Sequence, residues 1–153
     1  MIQGLFANIV CPFIGTIAFS ALYNVPNRYY LSCGITGTVG WIVYKWAFEY
    51  SSVTIASFLG TLVVVLVSRM MTVRMKCPIT IFLVPGILPL VPGAGVYYTA
   101  YYLVTNQLGL AAQKGLESVK IAFAIVLGIV FIVSIPREVF QIGYWRQRRK
   151  RKG

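Results

Sequence analysis

Residues 85–95 read Pro85-Gly86-Ile87-Leu88-Pro89-Leu90-Val91-Pro92-Gly93-Ala94-Gly95, three prolines and three glycines in eleven positions. They lie in a 37-residue stretch, Cys77 to Gln113, that carries no charge. One continuous helix is impossible here, because an interior proline removes a backbone hydrogen bond and clashes with the preceding turn. In hydrocarbon, non-helical backbone persists only where protein buries it or where it lines a wet cavity. The chemistry on offer is therefore recognition by backbone. Unwound carbonyls and half-helix ends make a polar site near the membrane midplane, and helix N-terminal ends attract carboxylates. Gly93 and Gly95 precede a stretch that can restart a helix at about Val96, aiming free N–H groups at an anionic group. A single proline would fit a packing kink. Six breaking residues so close together favour a functional break.

Tyr97, Tyr98, Tyr101 and Tyr102 follow the break, with 97/101 and 98/102 each spaced i, i+4. Tyr97 and Tyr101 are candidate pathway residues. The same two stripes would also fit an interfacial aromatic belt. No catalytic constellation accompanies them. The chain has no His and no Asp, and its acids are Glu49, Glu117 and Glu138, at span ends or in a loop. An enzyme acting by acid–base chemistry is disfavoured. Cys11, Cys33 and Cys77 show neither metal spacing nor a pairing pattern, so no metal, disulfide or cofactor is expected. Cys11 and Cys33 read as small hydrophobes.

The elements that position the break are apolar. Of 153 residues, 58% are hydrophobic and 11% charged, with a mean hydropathy of +0.77. A soluble domain carries about a quarter charged residues, so lipid or partner helices must cover this surface. Crossing the hydrocarbon core takes about 20 apolar residues. The predicted architecture is all-α, with five transmembrane helices over about residues 2–24, 29–48, 51–68, 78–107 and 119–138, the fourth interrupted by the Pro/Gly run. These form one transmembrane domain (residues 1–145), followed by a basic tail (residues 146–153). Val25-Pro26-Asn27-Arg28 reads as a turn. Gly34, Gly37 and Gly40, at every third position of the second span, read as a face for close helix packing.

The net charge is +11, and six basic residues fall within Arg146–Lys152. Nucleic-acid binding is disfavoured because the other basic residues mostly bracket apolar segments, which marks topology. A single crossing of the fourth region puts eleven basic residues inside, leaving Lys114 and Lys120 in an outer loop and Lys45 near an outer end. Two crossings would put six outside against seven inside. The positive-inside rule prefers five spans, N-terminus out and C-terminus cytoplasmic in the cell membrane. The tail should also attract anionic lipid.

The stretch Val84-Pro85-Gly86-Ile87-Leu88-Pro89-Leu90-Val91-Pro92-Gly93-Ala94-Gly95-Val96-Tyr97 resembles the signature of the threonine/serine exporter family. Length, span number and motif position are similar too. The resemblance implies two five-span halves, fused or separate, the fused form carrying a soluble region before its first half. This chain resembles the second half, the small subunit of a split exporter. It implies export of small amino acids such as threonine and serine, with succinate export associated with some split relatives. It carries Pro85, Gly86, Pro89, Pro92, Gly93, Gly95 and Tyr97 over as pathway residues. It further implies a larger second exporter subunit, or a homo-oligomer, to complete the pathway. A non-transporting membrane scaffold that stabilises a partner is the alternative.

Overall fold

In a computed structural model, residues 2–135 are described, and side chains from Ala7 onward. The readings that rest on Arg137, Glu138 and the tail at 146–153 lie outside the described residues. Six α-helices account for most of the described chain, with no strand among them: α1 (Ile2–Leu22), α2 (Tyr30–Tyr50), α3 (Val53–Met75), α4 (Thr80–Ile87), α5 (Gly93–Val104) and α6 (Leu108–Val133). Two of them, α3 and α6, are long and apolar enough to cross a membrane. The pair Thr80–Leu90 and Gly93–Val104, bent by 51°, makes a third if it is one span.

The helix stops have local causes. Asn24 and Asn106 adopt left-handed conformations, with φ of 53° and 57°. After α1, the Val25 N–H donates to the Ser20 carbonyl at 3.0 Å and the Asn24 N–H to Ala21 at 3.1 Å. After α5, Gln107 donates to Tyr102 at 2.8 Å and Asn106 to Leu103 at 3.1 Å. This paired pattern closes a helix end on a left-handed residue, and asparagine tolerates that conformation better than most. The first stop therefore lies at Asn24, just before the turn expected at Val25–Arg28. The Arg28 guanidinium lies over the Tyr29 ring, 4.5 Å from its centre.

Two helices run further than the sequence reading expected. Helix α3 continues through Arg69 to Met75. Helix α6 begins at Leu108, which places Lys114, Glu117 and Lys120 on a helix and not in a loop. No proline interrupts 108–118, and Lys114 pairs with Glu117 one turn away at 2.8 Å. Twenty-six residues make about 39 Å of helix, so α6 exceeds a hydrocarbon core of about 30 Å and can carry this charged turn beyond it.

Contacts between helices give their directions. Gly40 of α2 meets Val64 of α3, while Tyr44 meets Gly60, so α2 and α3 are antiparallel. Gly86 of α4 meets Val64 and Leu90 meets Gly60, so α4 descends along α3. Gly95 of α5 meets Ser118 of α6 and Thr99 meets Gly115, so α5 and α6 are antiparallel. Thr61 of α3 meets Gly128 of α6, and Arg69 reaches Val133 and Ile135, so α3 and α6 are parallel. Helices α4 and α5 therefore run in the same sense, and the 51° bend is a kink in one descending path.

Arg69 is only 9% exposed. Its guanidinium donates to the Val133 carbonyl at 3.1 Å and to the Ile135 carbonyl, capping the end of α6. A cation at a helix C-terminus also meets the negative end of the helix dipole. Replacing Arg69 with Met should cost about 2 kcal/mol, the scale of a hydrogen bond from a charged donor. Thermal unfolding of the purified protein in detergent should show the loss, with Arg69→Lys intermediate.

Candidate functional site: a broken helix

Four consecutive backbone events build the break. Pro85 lies inside α4, and having no N–H it frees the carbonyl four residues earlier, at Ile81. The buried Cys33 thiol of α2 donates to that carbonyl at 3.3 Å. Next, Leu88–Leu90 tighten into a 3₁₀ turn containing Pro89. Val91 is then extended, with φ −65° and ψ 133°, the region that a following proline favours. Finally Pro92, at φ −76° and ψ 55°, centres a tight turn in which the Gly93 N–H donates to the Val91 carbonyl at 2.7 Å.

Helix α5 restarts at Gly93, three residues before the expected Val96. The Val96 N–H already reaches the Pro92 carbonyl at 3.1 Å. The N–H groups of Ala94 and Gly95 have no carbonyl a turn earlier in this helix to accept them. They stand at the positive end of the helix dipole, where an anionic group is favoured.

The candidate residues divide into two sets around this turn. Pro85 and Gly86 are buried. A methyl on Gly86 would come within 3.1 Å of both Thr36 of α2 and Val64 of α3. Leu90 is buried among Val64, Ile121 and Ile125. Pro89, Pro92 and Gly95 are half-buried, whereas Gly93, Tyr97 and Tyr101 are exposed. No residue of α5 is buried. Its tyrosines touch in sequence, Tyr97 on Tyr98 at 5.4 Å, Tyr98 on Tyr102 at 6.2 Å and Tyr102 on Tyr101 at 5.6 Å between ring centres. The break thus has an inner end packed against α2 and α3 and an outer end that is open.

The other glycines sit where backbones approach. A methyl at Gly34 would come within 2.6 Å of the Phe13 ring, and one at Gly37 would overlap the Thr16 hydroxyl. Gly40 faces Val64. Around them runs a seam of buried hydroxyls on α1 and α2, among them Thr16, Ser20, Thr36 and Thr38, that the sequence reading passed over. Each donates to the carbonyl four residues earlier, at 2.7–2.8 Å. The density of Ser, Thr and Gly over residues 32–40 is the signal that marks it. Cys33 was also read only as a small hydrophobe; its role as donor to the freed Ile81 carbonyl depends on a contact 48 residues away.

The family described as "Threonine/Serine exporter, ThrE" matches residues 8–135. The chain belongs to this exporter family. The match takes in α2–α6 whole and most of α1, with the broken helix inside it. No curated protein and no solved structure matches the chain. With long apolar helices, membership of an exporter family makes this a membrane protein.

The two glycines at the start of α5 should respond differently in this exporter-family chain. Gly93 has open space where a side chain would go, whereas one at Gly95 would strike the Ser118 hydroxyl. Gly95→Val should cost about 1–3 kcal/mol from overpacking, partly recovered by Ser118→Ala in the same chain. Gly93→Ala should stay within about 0.5 kcal/mol of the parent. Unfolding midpoints in detergent test the contrast.

Proposed function

We propose that the chain is a subunit of a secondary transporter that exports a small metabolite, of the threonine/serine type or a dicarboxylate such as succinate. In this reading it crosses the cell membrane five times with its C-terminus in the cytoplasm. It works with a second, larger membrane subunit or as a homo-oligomer. The broken helix within a chain of the exporter family is the observation that carries the reading. Threonine, serine and succinate all present a carboxylate, and the free N–H groups of Ala94 and Gly95 suit one.

The packing supports a mechanism of alternating access. Helix α4 packs on α1, α2 and α3, while α5 packs chiefly on α6. In this reading the break joins an inner body, α1–α4, to an outer pair, α5–α6. The bodies meet again where α6 lies along α3. Rocking of the pair about residues 88–93 would open and close the α3–α6 seam while the start of α5 holds the substrate's anionic end. The tyrosines of α5 line the outer approach.

Export of labelled threonine, serine and succinate from cells expressing the chain, alone and with a candidate membrane partner, tests the proposal. Gly93→Leu and Pro92→Ala should each lower export at least tenfold at normal membrane levels. Unchanged export in both variants would remove the site from the break.

A further inference from the structure

Two hydroxyl oxygens of α3, those of Thr61 and Thr72, are buried without a hydrogen-bond partner among the described residues, and of the two residues only Thr61 is fully buried, at 0% exposure. The helix offers an easy alternative. Ser57, one turn before, donates to the Val53 carbonyl at 2.8 Å, and Ser68, two turns after, donates to Val64 at 2.7 Å. A buried hydroxyl left unpaired costs about 1–3 kcal/mol, and valine has almost the same shape without that cost. The neighbouring run Val63-Val64-Val65 shows that α3 accepts valine here.

Its position gives the hydroxyl a use. The Thr61 methyl and Cβ lie against Gly128 of α6, so the residue sits in the α3–α6 seam. Val64, one turn further along α3, belongs to the same buried cluster as Leu90 at the end of the 3₁₀ turn and Ile121 and Ile125 of α6. Gly60, the preceding residue, faces Leu90 as well. Thr61 is thus one turn from the break, on the interface that must part if α5–α6 moves against α1–α4. A group unpaired while the seam is closed gains a partner when the seam opens, which lowers the free energy of the open, loaded state relative to the closed one.

We infer that Thr61 is a substrate-contacting residue, whose hydroxyl is sequestered in the closed seam and donates a hydrogen bond to the carboxylate of the exported molecule when the seam opens. This rests on the transport reading above. It adds a side-chain donor on α3 to the backbone donors at the start of α5, so the two bodies would hold one substrate between them.

The test compares Thr61→Val with Thr61→Ser in inside-out vesicles from cells that express the chain together with its candidate membrane partner, measuring uptake of labelled threonine, serine and succinate against concentration. Thr61→Val should reach the membrane at parental levels and unfold no earlier than the parent, since it deletes an unpaired hydroxyl. Its KM should rise at least tenfold, while Thr61→Ser stays within threefold. A parental KM in Thr61→Val would overturn the assignment and leave the transport reading intact. So would equal impairment of both variants, or a Thr61→Val chain that fails to accumulate, because the site would then be one of packing. Absence of uptake by the parent with all three substrates would overturn the transport reading and this assignment with it.

Discussion

A proline inside a helix leaves a carbonyl four residues back without its donor, and in a lipid-facing bundle water cannot replace it. That constraint organises this molecule. Pro85 frees the Ile81 carbonyl, and Cys33 of α2 supplies a thiol to it at 3.3 Å. The bond ties the first half of the broken helix to α2, next to the edge-on contact of Tyr29 with Phe82 at 5.6 Å. Because α4 is fixed in this way, the deformation demanded by Pro89 and Pro92 falls on residues 88–93. Helix α5 then leaves at 51° toward α6.

The same absence of water shapes the rest of the packing. Hydroxyls such as those of Thr16, Thr36, Ser57 and Ser68 turn back onto their own helices, which satisfies them without specifying a neighbour. Specificity comes from glycines that let backbones approach, with Gly37 against Thr16, Gly40 against Val64, Gly86 against Thr36 and Gly128 against Thr61. Glycine contacts of this kind hold by dispersion and shape alone. An interface such as α3–α6 can therefore separate without breaking a network of side-chain hydrogen bonds along its length. Arg69 at one end is the exception.

What could be read from the sequence follows from where each signal resides. The break was evident because proline and glycine act locally, and the extended backbone of Val91 is what a following proline favours. The all-helical class followed from apolar runs, and the family from one compact motif. Arg69 misled because a charge after an apolar run normally marks a boundary, whereas here the carbonyls of α6 give it a buried site 64 residues away. The start of α6 was placed late for the same reason, since Lys114 and Lys120 look like loop charges until the length of the helix is known. Cys33 carried no local signal for its role, because it acts through a carbonyl freed on another helix, and the i, i+4 spacing of Ser57 and Thr61 speaks only of close helix packing, since Thr61 is notable for a bond it does not make.

The parallel arrangement of α3 and α6 has a consequence for how the chain is made. Neighbouring helices in sequence can pair as soon as both emerge, but α3 and α6 are separated by the whole of the bent helix. The carbonyls that hold Arg69 belong to residues synthesised more than sixty positions later. A guanidinium at the bilayer centre costs about 3 kcal/mol on insertion scales, and less near the interface. Until residue 135 has left the ribosome, these two carbonyls are not there to offset it. The α3–α6 contact is therefore completed only once the C-terminal helix is made, and any delay in delivering α6 leaves Arg69 without these two acceptors.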